Sequence, residues 1–422
     1  MIEEFKRKIE YKFGTEISVA VDLKYLKEDI YLNTGKTIGY NTLRRLYGFL
    51  PENKHSRNTL NVLSNYLGYS SYSNFLFKNK VDTNWFDWFT LNEISNKNQL
   101  NVEDVDWLLS KKKSEFYYML ISSLINSFID KKNTRDLNII FKNKLLFDIE
   151  RQDFAKIATS TSKKINVLPF NKLIWVASFL NHISFRNLVL YSFVDIDTLN
   201  SYYGFLIKKS KPIIKEPDEN LFTNLILCIH SFLTNRPFFI DANTLIVPKN
   251  CHPILLGRYY SILMLLKPKN RDEIFNKIIV DSKKSDSVLE LFQEFIPVLI
   301  LIKDFEKIEL IFDDYYSTLL DYEHWDHVYI ERFNLIALML VYLQNGKLEL
   351  LPNLFIYFNN NTTFYSSNQY QKLLYCIVKY HYGLRTVGLL EDTINEKNNY
   401  LLLANKLEFS FFSESYLENY FD

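Results

Sequence analysis

The run Tyr40-Asn41-Thr42-Leu43-Arg44-Arg45-Leu46, continued by Ser56-Arg57-Asn58-Thr59-Leu60 and closed by Tyr66-Leu67-Gly68, carries the sharpest local signals in this 422-residue chain. Leu43, Leu46 and Leu50 recur at helical spacing, so a helix is expected over about 40–50 with these leucines turned inward. Ser56 is a preferred N-cap residue. The helix it opens carries Leu60, Leu63 and Leu67 on one face and ends at Gly68, where a left-handed residue is favoured. Upstream, Leu23, Leu26, Ile30 and Asn33 share a face over about 23–33, stopped by Gly35, and Phe5, Ile9 and Phe13 share one over about 2–13. Downstream, Tyr72 and Phe75 anchor a short fifth helix over about 70–78. Five of the ten glycines (Gly14, Gly35, Gly39, Gly48 and Gly68) fall in this region, which calls for short helices and tight turns. Residues 1–80 are therefore expected to form a compact all-α head.

Helix, tight turn, helix, basic loop and capped helix is the order of a helix-turn-helix unit. The quoted residues resemble the Cro/repressor (XRE-type) family, which typically shows a Ser-Thr-Ile-Ser-Arg-Ile recognition helix, a Pro-Ser-x-x-Thr-Leu helix start and a Leu-Gly end. The segment Leu43-Arg44-Arg45-Leu46-Tyr47-Gly48-Phe49-Leu50 also looks like a head found before varied C-terminal bodies in Bacteroidetes-type proteins. The resemblance covers about 55 residues. The chain departs from it in three ways: no Ala lies inside the second helix, Gly35–Gly39 makes a longer turn, and His55 stands where proline is usual. The resemblance implies duplex DNA as the partner. Tyr40, Asn41, Arg44 and Arg45 would then lie on the groove-facing helix, since Asn pairs well with adenine and Arg with guanine. Lys36, Lys54 and Arg57 flank that helix at positions suited to phosphate. Two alternatives stand beside this reading: the head docks on protein, or it is a structural cap.

Charge agrees with a basic head. Residues 1–80 hold 13 Lys/Arg and 8 Asp/Glu, leaving 37 against 41 for the remainder of a chain whose net charge is +1. Hydrophobic residues make up 47%, enough for substantial cores, while Gly and Pro number only 10 each, which favours long helices. The 16% aromatic content accompanies abundant Asn, Ile and Lys; it follows from AT-rich codons and carries no functional weight. The opening MIEEFKRKIE is too charged for a signal peptide, and no stretch reaches the roughly 18 apolar residues that span a bilayer. Three scattered cysteines (Cys228, Cys251 and Cys376) fit a reducing compartment, so a cytoplasmic protein without membrane contact is expected.

Trp85, Phe86, Trp88 and Phe89 open the body and are expected to pack the head onto it. Amphipathic helices follow over about 102–112, 115–130, 136–147, 153–164, 172–183 and 185–194, making a first body part over 81–210. The Lys/Pro-rich stretch 209–219 reads as a linker to a second part over 219–422. There, apolar helices closing at 299–305, 340–346 and 378–383 are each followed by another helix, at 306–319, 347–358 and 386–395. A period near 40 resembles tetratricopeptide-like hairpins, although their signature Trp, Gly, Ala and Pro positions are mostly absent. Stacked hairpins offer a concave groove for a peptide or protein, with Tyr315, Tyr316, Tyr329 and Arg332 as groove residues.

Motifs for other chemistry are missing. Gly35-Lys36-Thr37 lacks the upstream glycine of a phosphate-binding loop, and no G-x-S-x-G, H-E-x-x-H or C-x-x-C occurs. Glu323-His324-Trp325-Asp326-His327 could place two histidines on one helical face, but no second carboxylate–histidine motif completes a metal site, and a solvated turn is the simpler reading. No cofactor, metal or enzymatic activity is expected. A repressor-type head on a tetratricopeptide-like body resembles the plan of the peptide-pheromone regulators of Gram-positive bacteria. The expectation is a DNA-binding transcriptional regulator with a sensing body, with room for a homodimer. The alternative is a non-enzymatic interaction scaffold or defence-associated adaptor.

Overall fold

The computed structural model of the chain describes residues 2–51, 56–97, 99–238, 240–285, 287–320, 327–360 and 368–422. Within its helices the side chains of 3, 77–84, 327–329, 360 and 368 lie outside that description. The described residues form helices and turns with no strand among them, and they divide into two compact units, Met1–Asn98 and Gln99–Asp422. None of the described helices is long and apolar enough to cross a membrane.

The head unit contains α1 (Ile2–Phe13), α2 (Asp22–Thr34), α3 (Tyr40–Leu46), α4 (Arg57–Tyr66) and α5 (Tyr72–Asn96). The spacing that marked each helix also fills its core. Phe5 and Ile9 of α1, Leu23, Leu26 and Ile30 of α2, Leu43 and Leu46 of α3, and Leu63 and Tyr66 of α4 are almost fully buried together. Phe5 meets Phe75 of α5 edge-on at 4.5 Å, which closes the cluster. Helix ends follow the signals as well. Ser56 Oγ accepts the Thr59 amide at 3.2 Å, and Gly35, at φ +66°, donates its amide to Tyr31 O at 2.8 Å.

Two boundaries differ from expectation. α3 stops at Leu46 instead of about 50, because Gly48 adopts φ +79° and the chain reverses, with Phe49 N donating to Arg44 O at 2.8 Å and Gly48 N to Arg45 O at 3.3 Å. That pair of bonds is a Schellman turn, so α3 makes only two helical turns. In the other direction, α5 runs for 25 residues, straight through the boundary placed at residue 80. Nothing between Tyr72 and Asn96 breaks a helix, there being no Gly or Pro, and the head unit extends to Asn98. Trp85, Phe86, Trp88 and Phe89 on this helix are 61%, 64%, 36% and 50% exposed. The buried side of α5 there is Asp87, Leu91 and Ile94, and Trp85 and Phe89 point the opposite way, stacked on each other at 5.7 Å.

The body is one compact unit. The expected linker over 209–219 is a short turn between the helices Tyr202–Ser210 and Pro217–Leu233, which pack against each other. With few glycines available, Lys132, Asn235, Lys303 and Glu408 take the left-handed position at helix ends. Each is followed by an amide that reaches back to the previous helix, for example Asp304 N to Leu299 O at 3.0 Å and Phe409 N to Ala404 O at 3.1 Å. The expected second helices of the late hairpins are present as Phe305–Leu320, Leu351–Asn360 and Leu390–Leu407.

These hairpins do not meet only their neighbours, as stacked repeats do. Asp197 accepts the Gln369 and Tyr370 amides at 3.0 and 2.9 Å, capping the start of the helix Asn368–Arg385. Asn200 donates to Leu407 O and Glu408 O at 2.8 and 3.1 Å, capping the end of Leu390–Leu407. The final residues then pass back across the unit. Phe411 N donates to Leu233 O at 3.0 Å, Tyr416 Oη to Leu301 O at 2.9 Å and Tyr420 Oη to Ile300 O at 2.6 Å. Ties spanning more than a hundred residues close the body on itself.

Candidate functional site

On the head, Lys36, Asn41 and Arg57 are exposed, and Arg44 and Arg45 are half-buried. Lys36 Nζ donates to Asn65 Oδ1 at 2.9 Å, tying the loop before α3 to α4. Tyr40 is half-buried: its hydroxyl donates to Ala20 O at 2.9 Å, and its ring lies 5.7 Å from the Arg44 guanidinium. Arg44 Nη1 reaches Asn41 Oδ1 at 3.5 Å while its Nε is buried without a hydrogen bond among the described residues. Asn41 and Arg45, one turn apart, thus remain the most available groups of α3. Lys54 lies outside the described residues.

Of the groove residues expected in the body, the described side chains of Tyr315, Tyr316 and Arg332 have different surroundings. Tyr315 sits at a break in Phe305–Leu320, with φ −132°, its hydroxyl 2.9 Å from Ser282 Oγ and its ring against Phe292. Tyr316 is exposed beside Phe312. Arg332 is only 6% exposed, its guanidinium 4.1 Å above the Phe358 ring, and burial lowers its pKa. That removes Arg332 from any solvent-open groove. The side chain of Tyr329 and the segment 323–326, with the side chain of His327, lie outside the described residues.

A different site emerges in the body. A cavity of about 740 Å³ opens between the start of the helix Arg151–Asn166, the segment 187–194, the starts of Pro217–Leu233 and Pro253–Leu266, and Gln293–Glu294. Its apolar wall is aromatic: Phe147, Phe154, Tyr191, Phe193 and Phe222. Tyr191 meets Phe222 edge-on at 4.9 Å and closes a π-helical turn, Asn187–Tyr191, a conformation often found at functional positions.

The buried charges around the cavity come in pairs. Arg258, 6% exposed, holds Glu294 through two contacts, Nη2–Oε1 at 2.8 Å and Nε–Oε2 at 3.2 Å, with its guanidinium 5.0 Å above Phe222. Arg186 holds Glu219 likewise, at 2.9 Å, and gives Nη1 to Leu180 O at 2.7 Å. Bidentate pairing of this kind satisfies both carboxylate oxygens, which burial demands. At the rim, Arg151 Nη1 contacts Glu290 Oε1 at 2.8 Å, and His252 Nε2 stands 3.9 Å from the other oxygen.

Other titratable groups are structural. Burial pushes the thiols of Cys228 and Cys251 up to about 11, so neither is a thiolate at neutral pH. Burial also lowers His230 and His381 to about 4 and raises the Asp195 carboxyl to about 6. Sequence reasoning missed the cavity, although a signal was present. Arg258 interrupts the otherwise apolar run Pro253-Ile254-Leu255-Leu256-Gly257, and a charge on a buried helix face requires a partner. No family model, curated protein or solved structure matches the chain.

Proposed function

We propose that the protein is a DNA-binding transcriptional regulator whose body senses a ligand or holds a partner, and that it is not an enzyme. The observation that supports this most directly is the exposure of Lys36, Asn41 and Arg57, beside the half-buried Arg45, around the short α3 of a head whose apolar side is already filled. Phosphates are met by Lys36 and Arg57, and base edges by Asn41 and Arg45, with Arg44 held over Tyr40 as the second arginine of the helix. Counting all charges in the head unit, 14 Lys/Arg stand against 11 Asp/Glu, so attraction to DNA comes from local placement and not from a strongly basic unit.

The test uses the full chain and a pool of genomic duplex fragments, with binding followed by fluorescence anisotropy against salt. Each neutralised phosphate contributes about −0.9 to the slope of log K against log salt, so three or four contacts give a slope near −3 to −4. Absence of binding at low salt overturns the proposal. A second reading, an interaction scaffold or adaptor, is favoured by one observation, the exposed Trp85–Phe89 stack on α5. It predicts that Trp85→Ala/Phe89→Ala abolishes function in the cell without changing DNA affinity.

A further inference from the structure

The cavity in the body has a chemical character that narrows what it can hold. Its volume, about 740 Å³, lies within the roughly 300–1,000 Å³ of small-molecule sites. Inside it, Arg258 and Glu294 neutralise each other, and Glu219 is neutralised by Arg186 behind the wall. A ligand bringing a net charge to this depth would have to break a buried pair, which strands the other member without compensation. Asp218 makes no ion pair among the described residues, but it is exposed at the rim, where water screens it. The uncharged polar groups tell the other half. The side-chain amides of Asn187 and Gln293 line the cavity and hold no hydrogen bond among the described residues. Five aromatic rings, with Ile149, Val194, Ile254 and Leu255, supply the apolar surface.

We infer that this cavity binds an uncharged, largely apolar small molecule bearing a carbonyl or amide group, with its body against Phe222, Tyr191 and Phe154 and its polar group at Asn187 and Gln293. The inference deepens the sensing role proposed for the body. Binding is read on the protein alone, so its failure is separable from a failure to bind DNA.

The probe is diphenylhexatriene, an uncharged hydrocarbon that fluoresces in apolar surroundings, titrated into the full chain. Its fluorescence should rise to saturation at one site per chain. N-butylbenzamide should displace it, while the 4-butylbenzoate anion and the 4-butylbenzylammonium cation, of similar size but charged, should be at least tenfold weaker. Ile254→Trp fills the cavity from its half-buried wall and should abolish the signal; Ser192→Trp, from the segment 187–194, replaces it if the first variant does not fold. The double variant Asn187→Ala/Gln293→Ala should leave diphenylhexatriene affinity unchanged and weaken N-butylbenzamide about three- to tenfold, the worth of a neutral hydrogen bond. Unsaturable binding, charged competitors equal to the amide, a signal that survives both tryptophan variants, or an amide affinity untouched by the double variant overturns the inference.

Discussion

Mild acid should destabilise the body through two buried histidines. His230 and His381 are 4% and 5% exposed, and each uses Nε2, His230 toward Asn200 Oδ1 at 2.8 Å and His381 toward Leu417 O at 2.7 Å. Both bonds lie where the C-terminal residues return across the unit. Burial lowers each folded-state pKa from 6.5 to about 4, so between those values the unfolded chain binds protons that the folded chain refuses. Stability is therefore full above pH 6.5 and falls as pH drops toward 4, by about 3 kcal/mol per histidine. Asp195 works the other way. Its folded pKa is raised to about 6 from 3.8, so the folded state gains protons first and recovers about 3 kcal/mol as pH falls through the same window. The three together leave a net loss of about 3 kcal/mol between pH 6.5 and 4. Urea unfolding followed by circular dichroism across this range measures it. The double variant His230→Gln/His381→Gln, which keeps an amide donor near each Nε2 position, should lose the acid-induced fall. Asp195→Asn should be more stable than wild type at pH 7.5 and show a steeper fall. A double glutamine variant with the wild-type pH profile would refute the reasoning, because the histidines would then titrate normally in the folded state.

Three further outcomes are expected. Asn41→Ala and Arg45→Ala should relax sequence preference in DNA binding by about 1–3 kcal/mol at a cognate base, whereas Lys36→Ala should weaken all sequences alike and reduce the salt slope by about 1. Gly257→Ala should destabilise the body by about 1–3 kcal/mol in urea unfolding, since its Cβ would stand 1.9 Å from Leu291 O and force two packed helices apart. Truncation after Glu408 removes Phe409, Phe412, Leu417 and Tyr420, all buried, and should abolish cooperative unfolding of the body as followed by circular dichroism, where a stack of independent hairpins would keep it.

How far the fold was legible depended on how local its cause was. Phe5, Ile9, Leu23, Leu26, Ile30, Leu43, Leu46 and Leu63 announce their burial by spacing alone, and Ser56 and Gly35 announce helix ends through side-chain and backbone chemistry that needs no neighbours. The early stop of α3 was legible too, in Gly48, but the inward spacing of Leu50 argued for one more turn. The Schellman reversal prevailed because it satisfies the carbonyls of Arg44 and Arg45 at once. Within α5, Leu91 and Ile94 are buried while Trp85 and Phe89 stack on each other on the other side of the helix, an arrangement that residue type alone does not give.

Closure of the body and its cavity could not be read this way, because both depend on partners far away in sequence. Asp197 and Asn200 look like ordinary turn residues, and only the folded chain brings the end of one helix and the start of another to them. Arg186 and Arg258 are more informative. Each lies in a mainly apolar helical run, where an unpaired guanidinium would cost several kcal/mol, so each position demands a buried carboxylate. Sequence states that demand without naming the partner, because Glu219 and Glu294 lie 33 and 36 residues away. Two such demands met side by side create a wall that is polar in composition and neutral in charge. Such a wall lets an apolar ligand enter without leaving an ion exposed to it, and this links the least typical residues of the body to the ligand class proposed for its cavity.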